Sequence, residues 1–393
     1  MPKYRIDPQI VPFLSKLWRP IDGAEAVARV AADSNASLEC VEEIFNSLVD
    51  NGVLQPVPLD STQNAVGDAR RLEHHRIMLA DAVRNDAFQR AIQSTVRNGD
   101  KVIDVGAGSG ILSFFAAQAG AGKVLALESA PVAEDARRLA ELNNVEGIIE
   151  FVEGDAGDFS TKGPADVVMC EWLGVFLIAE WTIFEAFAKV RDLCLRSGGS
   201  VIPRQARLLL GPVSDEQLYF DRGLGFWEKP CNGFDVSPGR AQQLENTFTY
   251  LIDADPDSFI CEPWEILSLD CLTDNSDAML FDSHSEIQCP RSTTCHGYVG
   301  FFEADLAAEV KLDTSPFGPR THWRQAYFPI ESFPIRAGET LITRAQTIRT
   351  RSTGYPRLNL GLELRDGAEQ VYRATYNFAI GDQDIRWGRL FWG

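Results

Sequence analysis

Between Lys101 and Trp172 the chain alternates short, largely apolar runs with amphipathic stretches, and few folds accept that pattern. The runs are KVIDV (101–105), KVLALE (123–128), IEFVEGD (149–155) and ADVVMCEW (165–172); GILSFFAAQAG and VAEDARRLAELNN lie between the first three. Strands with no polar face belong in a parallel sheet covered by helices on both sides. A doubly wound, Rossmann-like α/β domain is therefore expected over about 70–205. Beyond SGGSVIPRQARLLL the character turns to β. Leu358, Leu360, Leu362 and Leu364 alternate strictly, Asp366 and Gly367 supply a turn, and Tyr372, Ala374, Tyr376 and Phe378 alternate back. This predicts a β-barrel or sandwich over 206–393, with the helical, turn-rich stretch around 213–260 projecting as an inserted arm. Residues 1–60 read as a small helical module. Ser37 can cap a helix carrying Leu38, Val41, Phe45 and Leu48, Gly52 can end it, and the strand-like GVLQPV completes a helix-helix-wing, winged-helix-like pattern.

With 56 acidic and 37 basic residues among 393, the net charge of −19 repels a phosphate backbone, and the candidate recognition helix carries Glu39, Glu42, Glu43 and Asp50. Nucleic acid is not an expected partner. No run approaches the roughly 20 apolar residues of a membrane span, and the start lacks a secretory leader, so a cytoplasmic protein is expected. The eight cysteines form no CxxC pair, and neither a metal nor a redox dithiol is expected.

KVIDV, led by Asp104, runs into Gly106, Gly108 and Gly110, and a helix follows at once. Glycines there let the chain turn tightly and let a ligand approach the backbone at the carboxyl edge of the sheet. The spacing is GxGxG, with Ile111 where a dinucleotide fingerprint requires its third glycine. Glu128 ends the second strand, where a carboxylate can accept both hydroxyls of a ribose. The combination fits S-adenosylmethionine, which has a ribose and no phosphate; a purely structural turn is the alternative. Asp155 and Asp158, after the third strand, are placed either for an adenine amino group or in a solvated loop.

In CEWLGVFLIAEW, Glu171 and Glu180 stand nine residues apart in an apolar setting, each followed by tryptophan. Lone ionised carboxylates are rarely buried, so a cation is expected to answer them. A guanidinium offers five donors in a planar fork that two carboxylates can grip. Held so, one nitrogen can be kept in line with a sulfonium methyl, positioning worth up to about 7–11 kcal/mol in favourable cases. Helix-capping or surface glutamates are the plainer alternative.

Taken together, DVGAGSGILSFFAAQAGAGKVLALE, CEWLGVFLIAEW, THWRQ (321–325) and HHRIMLADAVRNDAF (74–88) resemble the protein arginine N-methyltransferase family from about Arg71 to the C-terminus. The resemblance implies that Arg84 pairs with the carboxylate of the cofactor's methionine moiety and that Met78 packs beside the reacting methyl. It also implies that Asp81 contacts His322 across the two domains, with an orienting role for the histidine, that Trp323 lines the arginine pocket, and that the protein is a homodimer. Three features depart from the family: AVGDA (65–69) replaces an aromatic YFxxY segment, Val175 and Ala179 stand where many members have aromatics, and Thr182 stands where dimethylating members often carry methionine. The expected activity is guanidino N-methylation of arginine by S-adenosylmethionine. Among acceptors, protein, peptide and free arginine, the reading leans to free arginine or a peptide in a specialised bacterial pathway. The alternatives are methylation of another small-molecule nucleophile and a non-catalytic partner-binding scaffold.

Overall fold

Ser37 opens a helix as its hydroxyl suggests: the Cys40 amide donates to its Oγ at 3.3 Å, at the start of α1 (Leu38–Asp50). Val41 is buried and Phe45 half-buried, while Leu38 is exposed at the first helical position. The computed structural model describes residues 31, 37–50, 75–129, 132–153, 163–245, 249–349, 356–380 and 385–387. The chain divides into two units, one of residues 1–73 with 350–354 and one of 74–349 with 355–393. Most of the helix-helix-wing pattern, and AVGDA, lie outside the described residues.

In the larger unit a helical stretch over 75–80 leads into α2 (Ala82–Thr95), and then the apolar runs become strands. These are β1 (Lys101–Val105), β2 (Lys123–Glu128), β3 (Ile149–Glu153), β4 (Ala165–Met169) and β5 (Leu195–Ile202), separated in part by α3 (Ile111–Gln118), α4 (Val132–Leu142) and α5 (Trp181–Cys194). All five pair in parallel in the order β3-β2-β1-β4-β5. The chain reverses direction across the sheet between β1 and β4, the switch point at whose carboxyl end such sheets bind ligands. Gly106 leaves β1 at that edge and Glu171 leaves β4 beside it.

The remainder forms a barrel-like pair of mostly antiparallel sheets. One contains β6 (Gln205–Val213), β7 (Thr249–Ile252), β8 (Trp264–Asp270), β10 (Thr293–Ala307), β11 (Val310–Asp313), β12 (Gln325–Ile335) and β16 (Ile385–Trp387). The other is β9 (Asp282–Gln288), β13 (Thr340–Arg349), β14 (Pro356–Asp366) and β15 (Glu369–Ala379). The expected hairpin has Leu358, Leu360, Leu362 and Leu364 opposite Phe378, Tyr376, Ala374 and Tyr372, and all four leucines are buried. Period-two alternation sets this register, because a one-residue slip would turn every leucine to solvent. Tyr298 of β10 and Thr343 of β13 join the sheets through their hydroxyls, 2.7 Å apart. Between β6 and β7 the chain forms α6 (Glu216–Arg222), a 3-10 turn (Leu224–Glu228) and α7 (Pro238–Glu245).

Parallel sheet and barrel share one continuous apolar core. Phe176, from the loop between the two glutamates, joins them: it meets Phe328 of β12 edge-on at 4.8 Å, and a Cβ built on Gly300 of β10 would lie 2.3 Å from its ring. Among the described residues, no helix is long and apolar enough to cross a membrane, and no group of three or more His, Cys, Asp or Glu is placed to hold a metal ion.

Gly300 is thus the space that Phe176 fills. Gly300→Ala is expected to displace the ring and destabilise the unit by about 1–3 kcal/mol, seen as a lower melting temperature in calorimetry. An unchanged melting temperature would contradict the wedge.

Candidate active site

The glycine loop is held by backbone alone where it leaves β1. The amides of Gly106 and Ala107 both donate to the Leu127 carbonyl, at 2.9 and 3.0 Å. Gly106, Gly108 and Gly110 have φ of 71°, 55° and 85°, left-handed values that any side chain would strain. The Gly108 amide donates to Glu128 Oε2 at 2.8 Å, fixing the loop to the end of β2. His75, one helical turn before the half-buried Met78, lies over this loop, its Cε1 3.1 Å from where a Gly108 Cβ would stand. Sequence reasoning did not single out His75; its i−3 spacing from Met78, on one helix face, was the signal available. Asp155 and Asp158 lie outside the described residues.

Asp104 is wholly buried beneath the loop. Ser113 Oγ donates to its Oδ2 at 2.7 Å, and Oδ1 has no partner. Burial pushes its carboxyl up to about 7; the Ser113 hydrogen bond opposes this, the charge of Glu128 adds to it, and Arg84 offsets part of it.

Glu171 meets a resident cation. Arg84, in the first turn of α2, reaches across with Nη2 to Glu171 Oε2 at 3.0 Å, both side chains nearly buried. Glu171 Oε1 accepts the Leu173 amide at 3.0 Å, so the carboxylate is fixed at both oxygens. Arg84 Nη1 donates to Asn85 Oδ1 at 2.8 Å, and its buried Nε has no partner. Glu180 stands at the N-cap of α5 without making a side-chain cap bond, which removes the helix-capping explanation for it. Instead its side chain folds back over the loop: a Cβ on Gly174 would be 2.5 Å from Glu180 Cγ and 2.9 Å from Oε1. Burial above all, then the neighbouring Asp104, Glu171, Cys271 and Glu180, push the Cys170 thiol well above its ordinary value, a sign that these carboxylates share one neighbourhood. Val175 and Ala179 are buried in the loop, and Thr182 is exposed.

Asp81 ties this region to the barrel. Its Oδ1 accepts the Arg84 amide at 2.9 Å, capping α2, while its Oδ2 accepts the His322 amide at 2.7 Å and faces His322 Nδ1 at 2.8 Å. Burial alone would raise the Asp81 carboxyl; the hydrogen bonds from the His322 ring, the Arg84 amide and the His322 amide outweigh it and hold the group below its ordinary value. An ionised carboxylate only accepts, so Nδ1 carries the proton and Nε2 faces away from Asp81. Trp323 is buried beside His322, ring centroids 4.1 Å apart, and meets Phe302 edge-on at 5.3 Å.

This donor set suits a methyl-donor cofactor better than a nucleotide phosphate. Gly106–Gly110 carries no cation to cradle phosphate, Glu128 stands where a diol would be read, and the surplus of carboxylates over Arg84 favours a positively charged ligand. The buried, unpartnered Nε of Arg84 leaves a donor for a ligand carboxylate.

Residues 204–358 match the family described as the arginine methyltransferase oligomerization subdomain, and 89–206 match the ribosomal protein L11 methyltransferase (PrmA). Protein arginine N-methyltransferase PRMT10 of Arabidopsis thaliana is 30% identical over 342 residues, 78% of this chain and 88% of its own length. Histone-arginine methyltransferase CARMER of Drosophila persimilis is 31% identical over 355 residues, 85% of this chain but only 65% of its own length. Among solved structures, the Trypanosoma brucei PRMT1 enzyme-prozyme heterotetrameric complex with AdoHcy superposes with a TM-score of 0.70 at 26% identity, covering 78% of this chain and 97% of that one. The open conformation of Arabidopsis thaliana protein arginine methyltransferase 10 gives 0.69 at 28%, covering 79% and 98%.

A buried carboxyl that keeps its proton to about pH 7 binds that proton more tightly folded than unfolded, so stability falls as pH rises from the ordinary carboxylate range towards 7. For Asp104 in the ligand-free protein the loss is expected to reach up to about 4 kcal/mol, and Asp104→Asn should flatten it in urea unfolding followed against pH. A variant with the parent's pH dependence would contradict the assignment.

Proposed function

The chain belongs to the protein arginine N-methyltransferase family, and from that premise we propose that it methylates protein-bound arginine, with Glu171 and Glu180 holding the acceptor's guanidinium. The observation that carries this is the loop Glu171–Glu180, with one carboxylate fixed by Arg84 and the Leu173 amide and the other folded over Gly174. The acidic charge of the chain, −19, suits a basic protein segment. The leaning towards free arginine or a peptide is revised in favour of protein-bound arginine: the matched relatives are named for protein and histone arginine.

S-adenosylmethionine, when bound, supplies a methyl group activated by a sulfonium. The proposed cofactor residues are Gly106, Gly108 and Gly110, whose backbone permits close approach, Glu128 for the ribose, and Asp104, Met78, His75 and Arg84 around them. Asp155 and Asp158 remain proposals for the adenine. Glu171 and Glu180 would draw the guanidinium's positive charge towards themselves, leaving one nitrogen richer in electron density and aimed by the grip on the other two. Trp323 would wall the pocket. His322, its Nδ1 committed to Asp81, is assigned an orienting role, with Nε2 able to accept a proton once methylation has acidified the nitrogen.

Two observations support self-association, the match to an oligomerization subdomain and the exposed apolar side chains Phe226 and Phe234 in the insert between β6 and β7. We infer a homodimer formed through that insert.

Glu171→Gln and Glu180→Gln should each lower kcat by about a hundredfold or more on an arginine-containing basic protein, with products followed by mass spectrometry; near-parental turnover in either would overturn the guanidinium grip. A methyl group at Gly174 should push the Glu180 carboxylate aside without touching the cofactor loop. Gly174→Ala is therefore expected to lower kcat about tenfold while S-adenosylhomocysteine affinity, measured by calorimetry, stays within about twofold. Parental kcat in this variant would show that Glu180's position is immaterial.

A further inference from the structure

Two arginines bracket the turn that carries His322 and Trp323. Arg320 precedes the histidine by two residues and Arg324 follows it by two, and both guanidiniums converge on Asp253, one residue past the end of β7. Arg320 donates from Nε to Asp253 Oδ1 at 2.7 Å and from Nη2 to Oδ2 at 3.2 Å; Arg324 makes the same two bonds at 3.1 and 3.0 Å. Each arginine thus presents its fork to both oxygens, the geometry in which guanidinium pairs are strongest.

The turn needs such a grip. Arg324 has φ of 54°, a left-handed value that costs a residue with a side chain about 1–2 kcal/mol and persists only where surrounding contacts impose it. Its amide donates to the Thr321 carbonyl at 3.3 Å, closing the turn over the histidine. Gln325, buried at the start of β12, accepts the Ala254 amide at 2.9 Å and donates to the Thr314 carbonyl at 2.9 Å, binding the same two segments just beyond the clamp. On its buried side the turn is held by Asp81, through the His322 amide and ring. On its solvent side it is held by Asp253.

An isolated exposed ion pair would contribute little, about 0–1 kcal/mol. Here one carboxylate serves two forks, Arg324 is only 22% exposed, and the backbone between them is strained. We propose that Asp253 is a positioning residue for methyl transfer: by gripping Arg320 and Arg324 together it holds the left-handed turn and so sets where His322 and Trp323 stand. Its effect on turnover rests on the arginine methyltransferase reading; its hold on the turn does not. The clamp also ties down two guanidiniums in a loop assigned to a pocket for a third.

The test compares parent, Asp253→Asn, Arg320→Ala, His322→Ala and the Asp253→Asn/His322→Ala double variant. Hydrogen exchange in the intact protein reads the turn, and steady-state kinetics on an arginine-containing peptide read its consequence. In Asp253→Asn, exchange across 321–325 should rise about tenfold while β10 keeps its protection. Turnover should fall about tenfold with KM for the methyl donor within about twofold, and on the His322→Ala background, where only the Trp323 route remains, the second change should cost clearly less than that tenfold. Parental exchange at 321–325, or losses that multiply in the double variant, would overturn the proposal. Should Asp253→Asn lose protection throughout the barrel, Arg320→Ala decides: removing one exposed fork should loosen the same turn to a smaller extent, and unchanged exchange there would overturn it. A parent that methylates no arginine acceptor removes the activity reading, while exchange still decides whether Asp253 holds the turn.

Discussion

The carboxylate of Asp81 accepts hydrogen bonds from Arg84 in the helix it caps and from His322, 241 residues further along the chain, and the site is arranged around it. One oxygen caps α2, which fixes the helix turn from which Arg84 reaches Glu171 at the end of β4. The other holds the His322 turn of the barrel. Hydrogen bonds to a charged group contribute about 1.5–3 kcal/mol each, and burial of three donors without that acceptor would cost a similar amount. A single side chain thereby couples α2 to the barrel turn that carries His322 and Trp323.

Around that junction the electrostatics are deliberately unbalanced. Glu171 pairs with Arg84, whose charge also reaches Asp104, while Glu128 holds the glycine loop and Glu180 folds over Gly174; the buried Asp104 and Asp81 respond differently. Asp104, sealed from water with one oxygen unpartnered, retains its proton to about 7, whereas Asp81, less deeply buried and surrounded by donors, is held ionised. Burial has the same sign in both; at Asp81 the hydrogen bonds outweigh it, and at Asp104 the single Ser113 bond does not. A site with more carboxylates than resident cations invites a cationic ligand, and both a sulfonium and an arginine side chain meet that description.

Much of this was legible in the sequence because it depends on local periodicity or on a motif at a strand end. The apolar runs fixed the parallel sheet, the alternating leucines fixed the β14–β15 register, and Glu171 follows the fourth run directly. What was not legible depends on distance in space. Arg84 was assigned to a cofactor carboxylate, and nothing in its helix says that Glu171, 87 residues on, lies 3.0 Å away. His75 over Gly108 and Phe176 against Gly300 are likewise matters of packing, invisible until helix and sheets are assembled. The Asp253 clamp was hidden for the same reason, its partners being 67 and 71 residues away.

The most direct test of the central claim is a crystal structure of the protein with S-adenosylhomocysteine and an arginine-containing peptide. The account predicts one guanidinium hydrogen-bonded by both Glu171 and Glu180 at the carboxyl edge of the parallel sheet, with His322 still on Asp81. A peptide arginine seated elsewhere, or the two carboxylates directed into separate surroundings, would contradict it.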